Sequence, residues 1–178
     1  MALDKDDVGG EQHLLPVCVA SRIPDNTHAC DDSKLPPRAV IALTWDANAD
    51  LDLQVVGPGG RLIDAKHPTS APPDETMPDV VGSIDRDSNA NCIIDGVRAE
   101  SLVWNDIKPH GRYGIYVNMA DACKQPAARF KVEVFTAVST KSGDVVLKRF
   151  YEQGGELLDV SANGDAKLGL FVSEFVFK

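Results

Sequence analysis

The chain has 178 residues, 43% of them apolar and 25% charged, with a formal net charge of −9. That length suits one domain of about 100–200 residues, and no stretch approaches the roughly 18 continuous apolar residues of a membrane span. The acidic balance argues against DNA or RNA as a partner, because nucleic-acid binding needs Lys and Arg to neutralise phosphates. It suits a metal cation better.

Residues 1–38 are polar and broken by Pro16, Pro24, Pro36 and Pro37. They read as an irregular arm with one short strand at Leu14 to Ala20. The opening Met1-Ala2-Leu3-Asp4-Lys5-Asp6-Asp7 has no basic stretch followed by an apolar one, so it is not a signal peptide. From residue 39 to 178 the pattern is that of a single β domain. Ile41, Leu43 and Trp45 alternate with Ala42, Thr44 and Asp46, and Leu51, Leu53 and Val55 alternate with Asp50, Asp52 and Gln54. These are two strands with one apolar face each.

A proline-rich segment from Lys66 to Asp79 reads as a long surface loop. Strands resume at Val80–Ile84 and Ser101–Trp104. Tyr113, Ile115, Val117 and Met119 then share a face, as do Phe130, Val132 and Val134. Val145–Tyr151, Glu156–Val160 and Leu168–Phe177 complete the set, with Gly143-Asp144, Gly154-Gly155 and Asn163-Gly164-Asp165 as intervening turns. No segment keeps a 3.6-residue period over a helix length. The expected fold is all-β, an antiparallel, jelly-roll-like sandwich of about nine strands preceded by the irregular arm.

The four cysteines, Cys18, Cys30, Cys92 and Cys123, contain no Cys-x-x-Cys pair and stand beside turn-forming or polar residues. Two disulfides are expected, as in proteins of oxidising compartments. The expected location is therefore secreted or periplasmic, with a leader removed before the first residue. Pairing by proximity gives Cys18–Cys30 and Cys92–Cys123, while the sequence alone leaves the other connectivities open.

The acids are clustered. Asp46, Asp50 and Asp52 lie in Trp45-Asp46-Ala47-Asn48-Ala49-Asp50-Leu51-Asp52-Leu53. Asp50 and Asp52, two apart on a strand, place like charges on one side. Asp85, Asp87, Asn89 and Asn91 form a D-x-D-x-N-x-N run, the alternation by which a calcium loop wraps oxygens round an ion. It is not an EF-hand, since Ala90 replaces the turn glycine and Gly96 the distal acid, but Glu100 would close the site instead. The expected cofactor is Ca²⁺, which takes six to eight oxygens in irregular geometry. The competing explanation is that these residues cap turns, as Asp and Asn commonly do.

The string Leu43-Thr44-Trp45-Asp46 through Asp50-Leu51-Asp52-Leu53-Gln54-Val55 to Gly57-Pro58-Gly59-Gly60, then Asp85-Arg86-Asp87, Glu100 to Trp104 and Gly111-Arg112-Tyr113 to Val117, resembles the uncharacterised bacterial YfaP-like family. More distantly it is similar to the prepeptidase C-terminal domains of secreted proteases. The resemblance covers roughly residues 39–135. It implies a β-sandwich module of an exported protein, with calcium held in loops by Asp46, Asp50, Asp52, Asp85 and Asp87. The sequence departs from the family pattern at Ser88-Asn89-Ala90-Asn91-Cys92, where an acid and a Gly-rich stretch are usual.

An enzyme would need a nucleophile or an acid–base pair in a cleft. His13, His28, His67 and His110 lie apart, and neither a His-Glu-x-x-His nor a Gly-x-Ser-x-Gly motif occurs. Trp45 and Trp104 alternate into core faces, which leaves a glycoside-acting pair of carboxylates without an aromatic cleft. The expectation is a non-catalytic module that binds carbohydrate or a cell-surface protein, or else a purely structural domain stiffened by calcium. Tyr113 falls on a core face, and Tyr116 on the opposite face with Arg112 and Asn118.

Overall fold

The computed structural model describes residues 17–19, 21–71, 81–106 and 109–178. Among them are nine strands: β1 (Ala39–Trp45), β2 (Asp50–Val56), β3 (Leu62–Ile63), β4 (Ser83–Ile84), β5 (Ala99–Trp104), β6 (Gly111–Asp121), β7 (Ala127–Ser139), β8 (Val145–Leu158) and β9 (Leu170–Phe177). They form a five-stranded sheet in the order β4-β5-β1-β7-β8 and a four-stranded sheet in the order β3-β2-β6-β9. Every pairing between them is antiparallel. The all-β sandwich is as expected. Among the described residues no helix is long and apolar enough to cross a membrane.

The core lies between the sheets because the period-two pattern puts one apolar row of each strand on the inner side. Ile41, Leu43, Leu51, Leu53, Leu102, Ile115, Val117 and Val132 are fully buried there. Trp104, Tyr113 and Phe177 close one end of the core in edge-on and tilted contacts with centroids 5.4–5.7 Å apart.

The second side of the five-stranded sheet is also covered. Val40, Ala42 and Val103 are buried beneath Ile23 of the arm, with Phe135 and Leu147 alongside. The arm is irregular over its described residues and carries the Cys18–Cys30 disulfide, while Arg38 donates its N–H to the Trp104 carbonyl and leads the chain into β1. Most of the strand proposed at Leu14 to Ala20 lies outside the described residues, and residues 17–19 are not extended into a sheet. Val80 and residues 72–79 of the proline-rich loop likewise lie outside them, so the strand expected at Val80–Ile84 is seen as the two residues of β4.

Two elements differ from expectation, the first being β3, Leu62–Ile63, which lies in no expected strand. The second is β8: Gly154-Gly155 is no turn, and the strand runs without a break from Val145 to Leu158, paired with β7 along its length. The glycine serves packing instead. A Cβ on Gly155 would overlap the ring of Phe130, which sits across the pair in the core.

Candidate metal centre

The alternation that sends Leu51 and Leu53 inward sends Asp50, Asp52 and Gln54 to the outer face of the four-stranded sheet. A polar row on an outer face is normally wet. Here the three residues are only 5%, 6% and 2% exposed, because other segments fold over them.

The chief cover is the segment between β8 and β9. Asn163 and Gly164 donate their N–H groups to the carbonyls of Met119 and Ala120, and Gly169 donates to Gln54 Oε1 at 2.8 Å. Gly169 lies flush on the β6 backbone, where a Cβ would overlap the Val117 carbonyl. Asn118 of β6 is fully buried beneath this strap. It donates to Asp165 Oδ1 and accepts from Asn163 Nδ2, both at 2.6 Å. Asp165, in left-handed backbone after Gly164, is thereby turned toward β2.

A second wall is the 85–98 loop. Asn89, Asn91 and Cys92 adopt positive φ, a conformation that Asn tolerates better than most residues. The loop is pinned from several sides. Ser101 donates its N–H to Asp85 Oδ1 at 2.7 Å, Asn89 Nδ2 donates to the Ala49 carbonyl, and the Cys92–Cys123 disulfide ties the loop to the end of β6. Asn91 donates its N–H to Asp50 Oδ2 at 2.8 Å. The third wall is the turn after β3, in which Asp64 Oδ1 accepts the His67 N–H.

These walls enclose a pocket of about 300 Å³ lined by Asp50, Asp52, Asp64, Asp87, Asp121 and Asp165, with Lys66 at its edge and Asn91 beside it. Ligand oxygens of Asp50, Asp52 and Asp87 all lie within 4.8 Å of one another. Oxygens grouped this closely are near the spacing at which a single cation of calcium's size bridges carboxylates. Among the described residues no donor reaches Asp50 Oδ1 or Asp52 Oδ2, although both oxygens are buried. Buried carboxylate oxygens without a donor are costly.

The electrostatics record that cost. Burial first, then the carboxyl of Asp165 and the charges of Asp50 and Asp87, push Asp52 up to about 8. Burial, with Asp87, Asp165 and Asp121 adding repulsion, pushes Asp50 up to about 6 against the stabilising Asn91 N–H. Asp87 is raised mainly by burial. Burial acts on Asp165 in the same direction, but hydrogen bonds with Asp52, Lys66 and Asn118 outweigh it and hold that carboxyl low. Without a cation, Asp52 is the partner that carries the proton.

The pocket gathers Asp50, Asp52, Asp87 and Asn91 from the expected ligand set. The other four residues sit elsewhere. Asp46 Oδ1 accepts the Arg129 N–H, Asp85 caps Ser101 and pairs with Arg86, and Asn89 Oδ1 accepts the Asp95 N–H. Glu100 is fully buried on the inner side of β5, where its two oxygens accept the N–H groups of Ser88 and Leu53 at 3.2 and 2.8 Å. Burial and the nearby Asp52 raise its pKa well above the usual range.

Asp165, Lys66, Asn118 and Gln54 were not among the expected site residues. Asn163-Gly164-Asp165 had a turn signature and nothing in the local pattern showed that the turn folds back over β2. Both disulfides join the cysteines that proximity paired. No family model, curated protein or solved structure matches the chain.

Proposed function

We propose that the chain is a non-catalytic, extracytoplasmic binding module whose acidic pocket holds calcium. The observation that carries this reading is the grouping of Asp50, Asp52 and Asp87 oxygens within 4.8 Å of one another, with two buried oxygens that no donor among the described residues satisfies. The donor set is hard oxygen throughout, and the irregular walls suit an ion that tolerates varied coordination better than Mg²⁺, which demands near-octahedral geometry. The two disulfides accord with an oxidising compartment, and the resemblance to YfaP-like exported modules points the same way.

A recognition surface adjoins the pocket on the same sheet face. Tyr116, the cross-strand neighbour of Gln54, packs edge-on against Phe171, which is 55% exposed. An aromatic pair beside a polar pocket suits a carbohydrate, with sugar rings lying on the aromatic faces and hydroxyls toward the acids.

Thermal unfolding in EGTA, in millimolar Ca²⁺ and in Mg²⁺ tests the cation. A free concentration about one hundred times Kd adds about 2.7 kcal/mol, a rise of a few degrees. A calcium-specific rise that is lost in Asp52→Asn is expected. Absence of any shift, together with absence of calorimetric binding, would overturn the reading. Retention on a glycan array that disappears in EGTA and in Phe171→Ala would support the carbohydrate surface, and silence on every glycan would leave a purely structural cation site.

A further inference from the structure

We infer that Lys66 is a built-in competitor for the pocket, a tethered monovalent cation that must swing away for a divalent ion to bind and that thereby sets the calcium concentration at which the site fills. This rests on the cation reading above and deepens it by naming what regulates the site.

Among the described residues that line the pocket, Lys66 alone carries positive charge. Its Nζ lies 3.1 Å from Asp165 Oδ2. The ammonium is also close enough to Asp52 and Asp64 to be stabilised by them, and it in turn eases the charge on Asp87. One ammonium therefore lies near four acidic side chains, Asp52, Asp64, Asp87 and Asp165, two of which belong to the set whose oxygens lie within 4.8 Å of one another. A bound divalent ion would occupy the same field. Two cations a few ångströms apart repel by several kcal/mol at the effective dielectric of a protein surface, so the ion and the inward-facing ammonium exclude one another.

The local structure permits the exchange. Asp64 and His67 fix the turn that carries Lys66, through backbone bonds in both directions and the Asp64 carboxylate on the His67 N–H. The Lys66 side chain is 60% exposed, so its four-carbon stem can leave for solvent without breaking any core contact. Asp165 keeps its orientation throughout, because Asn118 holds Oδ1 while Lys66 takes only Oδ2. Departure of the ammonium thus frees an oxygen already aimed at the pocket.

The test compares the intact, oxidised protein with Lys66→Met and Lys66→Arg by calorimetric titration with CaCl₂ and by thermal unfolding in EGTA. Lys66→Met should tighten calcium binding about three- to tenfold, the range expected when an exposed ion pair and its repulsion are removed. The same substitution should lower the melting temperature in EGTA, where the carboxylates lose their counter-ion. Lys66→Arg, which keeps the charge, should bind calcium within about twofold of the parent. A merely structural lysine would not move the two readouts in opposite directions. If the parent binds calcium and Lys66→Met binds it no more tightly, the inference fails while the cation reading stands. If neither protein binds calcium, the cation reading itself fails.

Discussion

Glu100 of β5 accepts the backbone N–H of Leu53 of β2 at 2.8 Å, so a carboxylate from one sheet fills the place of a strand that the other sheet lacks. β3 pairs with β2 only at Val55 and Val56, which leaves Leu53 without a strand partner on that side among the described residues. The second oxygen of Glu100 holds Ser88 and so fixes the 85–98 loop to the sandwich. Glu100→Ala would leave two buried N–H groups unsatisfied and should cost about 2–5 kcal/mol. Urea denaturation at pH 7 measures this. A loss below about 1 kcal/mol would mean that water replaces the carboxylate.

Asp52 predicts an unusual pH dependence. Its folded pKa, about 8, lies above the value near 4 of an unfolded Asp. The folded state therefore binds more protons across that interval, and stability from this group is full below about 4 and is lost as pH rises through about 8. Asp50, Asp87 and Glu100 are shifted in the same direction. In EGTA the melting temperature should climb as pH falls from 8 to 5. Calcium, which needs the ionised carboxylates, should flatten or reverse that slope, and Asp52→Asn should flatten it without calcium. A profile in EGTA that falls on acidification would contradict the raised values.

Gly169 tests the strap independently of any charge. A side chain there would collide with the β6 backbone at Val117 and Asn118, so Gly169→Ala must lift the segment and break its bond to Gln54. Calcium binding should weaken at least tenfold while the inner core stays intact. Unchanged affinity in a calorimetric titration would show that Asp165 contributes nothing to the site.

The Cys92–Cys123 disulfide spans 31 residues and joins the 85–98 loop to β6. Replacing both cysteines by Ala should cost about 2–4 kcal/mol on the loop-entropy account. It should also weaken calcium binding, since Asp87 and the Asn91 N–H ride on that loop. Replacing Cys18 and Cys30 should leave calcium affinity unchanged, because the arm covers the opposite sheet. Equal effects of the two pairs on affinity would argue against the loop's role.

The strands were legible because alternation is a local property: Leu51 and Leu53 declare an inner face whatever surrounds them. The same local logic misled at Gly154-Gly155, where the glycines make room for Phe130, a residue on another strand. For the site, the facing of Asp50 and Asp52 was readable, and so was the arrival of Asp87. Asp46, Asp85 and Asn89 show why residue type is a weaker guide, since each satisfies a backbone or side-chain partner as turn residues do. Asp165 was not readable. Its position depends on a strap crossing two strands, which is a tertiary fact with no periodic trace.

The strap also decides how the domain would carry load. Among the described residues β9 is an edge strand paired only with β6, so tension applied beyond Phe177 would peel it rung by rung, from Gly111 opposite Phe177 back to Val117 opposite Leu170. The next contacts reached are Gly169 on Gln54 and the 163–165 segment over β6. A filled pocket there would bind Asp165 to β2 and the 85–98 loop together. The unzipping would then meet a knot that has to be torn all at once, and rupture force would be set by ion release rather than by strand pairing. Such a module would yield easily where calcium is scarce and hold firm where it is abundant.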